Sequence, residues 1–104
     1  MNLKKRIKKN EEFKEIIDLH KLIRAKSCNI YFKKYTEETR FGISVSKKIG
    51  NAVIRNRIKR RIKGILKDLN VKSNIEFILI AKKEINDMNY QELKYDLENS
   101  ISKI

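Results

Sequence analysis

The residues best suited to chemistry in this chain lie in one cationic segment, Arg55-Asn56-Arg57-Ile58-Lys59-Arg60-Arg61-Ile62-Lys63. Arginine presents a planar fork of N–H donors that matches phosphate oxygens, and asparagine both donates and accepts hydrogen bonds. Residues 47–67 contain nine Lys and Arg and no Asp or Glu, in a chain of net charge +13. Because a merely solvated helix face usually mixes acids with its bases, this segment is predicted to bind nucleic-acid phosphates.

Two other functions of a basic amphipathic segment fit less well. Binding to a membrane surface usually places Trp or Phe on the apolar face, whereas this face is aliphatic and is needed as the core of a globular domain. Reading duplex DNA through the major groove requires side chains that suit base edges, whereas these residues mostly suit phosphates. We therefore interpret the segment as an RNA-binding surface.

Two stretches of alternating polarity form a second candidate site. Along residues 28–35 and 41–46, apolar side chains point one way and polar side chains the other, which predicts two strands with an exposed face. Bases of a single strand can stack on its aromatic ring and have room above its small residues. The same pattern is equally typical of an ordinary solvent-facing sheet. The residues of this face are Asn29, Tyr31, Lys33, Gly42, Ser44 and Ser46.

The sequence offers no catalytic constellation of its own. Its one histidine, His20, and its one cysteine, Cys28, cannot build a metal cluster or an internal disulfide. No carboxylate falls in the cationic segment, so we predict no catalytic and no metal-binding residues. If hydrolysis occurs, another molecule must supply the chemistry.

Cysteine usage and the N-terminus predict the compartment. A single cysteine fits a reducing cytoplasm, and the basic N-terminal stretch is not followed by the apolar region of a signal peptide. No apolar run approaches 18 residues, so we expect a cytoplasmic protein with no membrane partner.

Without repeats or linkers, the 104 residues are predicted to form one RNA-binding domain, 1–104. Residues 1–9 form a basic arm that is either disordered or ordered by RNA.

Hydrophobic periodicity predicts the elements that position these residues. A helix is expected from an N-cap at Asn10 to about residue 21, and its Phe13 has the spacing of a core residue or lines a groove beside the sheet. The strands 28–35 and 41–46 are expected to be antiparallel neighbours joined by a hairpin loop at 36–39.

The second half of the chain shows the clearest patterns. The longest predicted helix, 51–69, has an aliphatic stripe on one face and the cationic segment on the other. The apolar run 75–81 is typical of a buried central strand, and Asn89 with Glu92 approximates the capping box of a final helix. This order predicts an α+β fold, with a small, mostly antiparallel sheet and helices packed on it.

The segment FGISVSKKIGNAV at residues 41–53, running into Arg55-Asn56-Arg57-Ile58-Lys59-Arg60, closely resembles the bacterial ribonuclease P protein component. An Arg-Asn-Arg helix preceded by Ser-Lys-Lys-Ile-Gly-Asn-Ala-Val is the hallmark of that family. Leu3-Lys4-Lys5-Arg6, Lys9-Asn10-Glu11-Glu12-Phe13 and Phe77-Ile78-Leu79-Ile80-Ala81-Lys82 are also similar, so the resemblance covers nearly the whole chain.

The resemblance implies a ribonuclease P protein-like fold, a sandwich like domain 2 of ribosomal protein S5, with a left-handed crossover through the Arg-Asn-Arg helix. It implies the protein subunit of an endoribonuclease that removes the 5′ leader from precursor tRNA. The implied partners are the catalytic RNA subunit and precursor tRNA, with no protein partner. Magnesium ions are expected at the RNA subunit, and no cofactor is expected on the protein.

The resemblance also implies residue roles. Ile17 stands where a second cleft aromatic often sits, and Lys63 stands where arginine is common. The alternative function is that of a non-catalytic RNA-binding protein, such as a ribosomal protein or RNA chaperone. Composition alone does not distinguish it from a ribonuclease P protein. The RNA-binding set comprises Lys47, Lys48, Asn51, Arg55, Asn56, Arg57, Lys59, Arg60, Arg61 and Lys63. The leader cleft, implied between the Arg-Asn-Arg helix and the sheet, comprises Phe13, Tyr31, Lys33, Ser44, Ser46, Lys59, Arg60 and Lys63.

Overall fold

The apolar run Ile75–Ala81 lies at the centre of the fold, with side chains buried on both faces of a sheet. A computed structural model describes residues 5–69, 71 and 73–104. The elements confirm the predicted α+β class. In chain order they are β1 (Lys5–Arg6), α1 (Asn10–Asp18), β2 (Leu22–Arg24), β3 (Cys28–Lys34), β4 (Arg40–Ser44), α2 (Ala52–Asp68), β5 (Ile75–Ala81), a 3-10 helix (Lys83–Asp87) and α3 (Tyr90–Ile101).

The five strands form one mixed sheet in the order β1-β4-β5-β3-β2. β4 runs parallel to both β1 and β5, whereas β3 runs antiparallel to both β5 and β2. The sheet is therefore evenly mixed rather than mostly antiparallel. α2 connects the parallel neighbours β4 and β5, which is the place that the resemblance implied for the Arg-Asn-Arg helix.

β3 and β4 are not neighbours, and the predicted hairpin between them is wrong. β5 lies between them, because a strand that is apolar on both faces is best buried at the centre of a sheet. The polar segment 35–39 therefore crosses the start of β5. Thr36 N donates to Asn74 O at 3.0 Å, and Asn74 N donates to Thr39 Oγ1 at 3.0 Å, which fixes this crossing.

Helices cover both faces of the sheet. The aliphatic stripe of α2 and the buried side chains of α3 pack with Phe77 and Leu79 of β5. Ile16 of α1 packs instead with Ile78, which lies between Phe77 and Leu79 in β5. Because side chains alternate along a strand, α1 lies on one face of the sheet while α2 and α3 lie on the other.

Side-chain capping fixes the starts of the two long helices. Asn51 caps α2, because its side chain accepts a hydrogen bond from Ile54 N at 3.0 Å. Asn89 and Glu92 form the predicted capping box of α3, with reciprocal bonds of 2.9 and 3.0 Å. The start of the cationic helix therefore has a defined position.

The bounds of α1 differ from the prediction. Lys9 rather than Asn10 is the N-cap, so Asn10 is the first helical residue. The helix ends at Asp18 instead of near residue 21, since His20 has a φ of 54° and turns the chain into β2. β2 is too short for its alternation to be visible in the sequence.

Part of the predicted N-terminal arm belongs to the sheet. β1 pairs with β4, and Ile7 N donates to Phe41 O at 2.7 Å while the Ile7 side chain is buried. Residues 1–4 of the arm lie outside the described residues. Within the part of the chain that the structure describes, no helix has the length and apolar content needed to cross a bilayer.

Candidate nucleic-acid interface

Three rows of side chains cross the sheet on the face covered by α1. Because paired residues in neighbouring strands point the same way, the register of β4, β5 and β3 defines each row. The rows are a charged row of Arg40, Glu76 and Lys33, a middle row of Gly42, Ile78 and Tyr31, and a polar row of Ser44, Ile80 and Asn29.

α1 contacts the first two rows and leaves the third partly open. The Phe13 ring lies on the backbone of Gly42, where a Cβ would be 2.6 Å from Phe13 Cζ. Ser44, Ile80 and Asn29 are each half-buried, although they follow directly along the same face. A strip of sheet therefore remains accessible beside α1.

This strip is named here the α1 cleft, bounded by Phe13 and Ile17 of α1 and floored by Tyr31, Ser44 and Ile80. Phe13, Ile17, Tyr31 and Ile80 pack against the same small buried cluster. Both aromatic rings are half-buried, so they are held in place and still present surface on which a base can stack. The arrangement suits an unpaired strand better than a duplex.

Lys33, predicted in the leader cleft, is engaged in the charged row. Its Nζ lies 2.9 Å from Glu15 Oε1 of α1, and this hydrogen bond raises the pKa of Lys33 and lowers the pKa of Glu15. In the same row Arg40 contacts both Glu12 and Glu76. The structure therefore places Lys33 at the closed end of the cleft, where carboxylates surround it.

The cationic side chains of α2 form the second surface, named here the α2 surface. Its aliphatic stripe, which includes Ile58 and Ile62, is buried, so the intervening cations are held at the spacing of the helix. Asn56, Arg57 and Arg60 are exposed, whereas the other members are half-buried. Those half-buried members are Arg55, Lys59, Arg61 and Lys63.

Arg6 of β1 joins the α2 surface. Partial burial, together with repulsion from Arg6 and Lys59, lowers the pKa of Lys63. Three neighbouring cations form a favourable binding site for a phosphate, because an anion relieves their mutual repulsion. The sequence placed Arg6 in a basic arm, but nothing in its pattern indicated this strand pairing.

The structure divides the predicted leader-cleft residues between two surfaces. Phe13, Tyr31 and Ser44 lie on the α1 face of the sheet, whereas Lys59 and Lys63 lie on α2, which packs on the other face. The aliphatic stripe of α2 requires this placement, since it must be buried against the larger core. The cleft is accordingly formed by α1 and the sheet. Arg60 also lies on α2, in an exposed position.

The loop between β4 and α2 connects the two surfaces. Ser46, Lys47 and Lys48 are exposed there, directly after the polar row of β4 and before the Asn51 cap. Asn86 Nδ2 donates to Ile49 O at 2.9 Å and ties the loop to the 3-10 helix. Lys47 and Lys48 in this loop extend the positive charge of the α2 surface toward the open end of the α1 cleft.

Sequence reasoning also missed Arg24 at the cleft. Arg24 pairs with Asn29 in the register of β2 and β3, so it extends the polar row, and its side chain is exposed. The only available signal was its positive charge, because the three residues of β2 show no usable alternation.

Comparison with known proteins gives a consistent result. The family model for Ribonuclease P matches residues 1–104. The Ribonuclease P protein component of Bacillus cereus (strain AH187) is 43% identical over an alignment 101 residues long, and the match covers 93% of this chain and 88% of that protein.

Solved structures agree with this assignment. The RNase P protein of Staphylococcus aureus superposes with a TM-score of 0.84 at 33% identity, covering 94% of this chain and 93% of that one. The RNase P protein from Thermotoga maritima superposes with a TM-score of 0.86 at 22% identity, covering 95% and 96%. The second similarity concerns the fold alone.

Proposed function

We propose two RNA-binding roles for this chain, which belongs to the ribonuclease P protein component family. It binds the catalytic RNA subunit through the α2 surface, and it binds the 5′ leader of precursor tRNA in the α1 cleft. As a member of that family the chain is the protein component of an endoribonuclease in which RNA performs the catalysis. Two separate surfaces of this small protein thereby bind two RNA molecules.

The charge distribution supports docking of a large RNA on the α2 surface. Residues 47–67 carry nine cations without one acid, and Arg6 adds a further cation beside Lys59 and Lys63. Neutralising phosphates there releases condensed counterions, which favours binding without requiring a particular base sequence. A folded RNA subunit, which presents many phosphates on one surface, suits such a docking face.

The single observation that carries the leader assignment is the half-exposed polar row beside Phe13. The strip is bounded by the Phe13 ring of α1 and floored by the Tyr31 ring and the small side chain of Ser44. An unpaired strand can stack bases there while its phosphates run toward Lys47 and Lys48. Base stacking of this kind tolerates many sequences, which suits leaders of varied composition.

The side chains of the two surfaces suit RNA binding by the protein, with hydrolysis left to the RNA subunit. The α2 surface and the α1 cleft bind and orient RNA, and neither includes a general acid–base pair. We expect magnesium ions at the RNA subunit to support the hydrolysis, with no cofactor on the protein. The protein then acts by holding the precursor near the catalytic RNA, which raises the effective concentration of the scissile bond. A cytoplasmic location follows from this role.

The decisive experiment is single-turnover cleavage of precursor tRNA by the cognate RNA subunit at low magnesium, with and without this protein. We expect a large gain for long leaders that disappears when the leader is too short to reach the α1 cleft. Intact binding to structured RNA without any gain would instead indicate a non-catalytic RNA-binding protein.

Matched variants separate the cleft from the rest of the protein. Tyr31→Leu keeps apolar volume but removes the stacking ring, so we expect at least about fivefold weaker binding of long-leader precursor. Tyr95→Leu removes an equivalent ring from an exposed position on α3 and is the control. Equal losses in both variants would contradict the leader assignment.

A further inference from the structure

Arg40 connects α1 to the sheet. Its Nε and Nη2 each lie 2.8 Å from Glu76 Oε2 of the neighbouring strand, and its Nη2 also contacts Glu12 Oε2 of α1. Glu76 is only 9% exposed, so its carboxylate needs a cationic partner. Arg40 therefore holds two carboxylates, one from the sheet and one from the helix.

The two contacts of Arg40 hold different elements in place. Arg40 and Glu76 are paired neighbours within the sheet, so their contact can form whether or not α1 is docked. The contact between Glu12 and Arg40 joins the helix to the sheet. The side chains of both residues are about three-quarters buried, at 27% and 23% exposure, so water screens this pair less than the Glu15–Lys33 pair, at 61% and 38%.

α1 depends on such contacts for its position. It has nine residues, which is too short for a helix that is stable alone, so tertiary contacts determine where it lies. Glu12 immediately precedes Phe13, and Arg40 lies two residues before Gly42 on the same face of β4. The Glu12–Arg40 pair and the Phe13–Gly42 contact are therefore adjacent attachments of one helical turn to one strand.

We propose that Glu12 is a positioning residue of the α1 cleft, which acts through Arg40 to hold Phe13 over Gly42 at the spacing that a leader base requires. This inference rests on the proposed function, because the leader is the ligand whose site Glu12 maintains. Glu12 itself does not touch the leader, since a carboxylate repels its phosphates. Its negative charge acts on the cleft indirectly, by tying the first turn of α1 to Arg40 and so ordering the aromatic wall.

The test compares Glu12→Gln with Glu11→Gln. Both variants remove one acid from the first turn of α1, so the changes in net charge and in the interaction with the helix dipole are matched. Glu11 is exposed, whereas Glu12 contacts Arg40. The readout is the affinity of the reconstituted holoenzyme for precursor tRNA relative to mature tRNA, together with the affinity of the protein for the RNA subunit.

We expect Glu12→Gln to reduce the preference for precursor by about three- to fivefold, with unchanged affinity for the RNA subunit. Glu11→Gln should leave the preference unchanged or slightly raised. In a Phe13→Ala background Glu12→Gln should cost nothing further, because its effect passes through the ring. Full additivity with Phe13→Ala, or no effect of Glu12→Gln, overturns the positioning role.

The outcomes separate this inference from the proposed function. If the wild-type holoenzyme shows no preference for precursor over mature tRNA, the leader cleft itself is wrong. If the wild type shows the preference and Glu12→Gln retains it fully, the cleft stands and only the role of Glu12 is wrong.

Discussion

Phe13 of α1 rests directly on the backbone of Gly42 in β4, so closely that a Cβ at position 42 would lie 2.6 Å from the ring. Real Cβ atoms do not approach carbon atoms so closely, so the absence of a side chain at Gly42 has a definite structural reason. The missing side chain lets the ring sit low against the sheet, where it forms the wall of the α1 cleft. Position 42 thereby controls the height of the aromatic wall.

Gly42→Ala should displace Phe13 and widen the cleft. We expect affinity for long-leader precursor to fall by about tenfold, and the free energy of unfolding to fall by about 1–3 kcal/mol through overpacking. Affinity for the RNA subunit should stay unchanged, because α2 lies on the other face. Precursor binding titrations and thermal unfolding measure the two effects.

Gly64→Ala is the matched control for this substitution. A Cβ at Gly64 would lie 3.7 Å from the Tyr90 hydroxyl, an ordinary contact, and the residue is inside α2. Alanine favours the helix over glycine, so the free energy of unfolding should rise by about 0.5–1 kcal/mol. A similar loss of precursor affinity in both variants would show that position 42 has no special role.

Several features of this fold could be predicted from the sequence because one local pattern determined each of them. The run at 75–81 is apolar apart from Glu76 and shows no alternation, which is typical of a central strand. The aliphatic stripe of α2 required burial of one face and exposure of its cations. Asn89 and Glu92 had the spacing of a capping box, and the structure contains it.

Other features depended on competition between distant segments. The polar residues 36–39 suit a hairpin, but β5 takes the place beside β4 because it buries more apolar surface there. β1 has only two residues, Lys5 and Arg6, and no local pattern marks it as a strand. In the candidate site, the resemblance implies Lys33 in the leader cleft, whereas its position opposite Glu76 and near Glu15 engages it in the charged row.

Arg57→Ala should weaken binding to the RNA subunit more than Lys103→Ala. Arg57 is exposed on the α2 surface, whereas Lys103 is exposed near the C-terminus, after α3. If Arg57 contacts one phosphate, its removal should also reduce the log–log salt slope of binding by about 0.7–0.9. Affinities measured across a range of salt concentrations test both statements. Equal effects of the two variants would show that α2 is not the docking surface.

The Cys28 thiol gives a prediction about stability at high pH. Burial raises its pKa to about 12, so the folded protein keeps the thiol protonated while the unfolded chain ionises near its ordinary value of 9.0. The stabilisation is complete below about pH 9 and is lost as the pH rises toward 12. In that window the free energy of unfolding should fall by about 1.4 kcal/mol per pH unit from this group.

Cys28→Ala isolates that contribution. The variant should lose stability at all pH values through the smaller side chain, but its unfolding free energy should depend less steeply on pH above 9 than that of the wild type. Denaturant titrations at a series of pH values provide the comparison. Identical pH dependence in the two proteins would mean that the thiol is accessible to ionisation in the folded state.

Ile17→Phe should strengthen leader binding. Ile17 is half-buried beside Phe13 and Tyr31, so a ring there would add a stacking surface to the wall of the cleft. Stacking on an aromatic side chain contributes about 1–3 kcal/mol per base, and replacing an aliphatic residue gains the lower part of that range, or about fivefold in affinity. Leu19→Phe is the control, because Leu19 is 44% exposed just beyond the end of α1 and outside the cleft cluster. A gain confined to Ile17→Phe and to long-leader precursor would support the cleft, whereas equal gains in both variants would indicate nonspecific apolar binding.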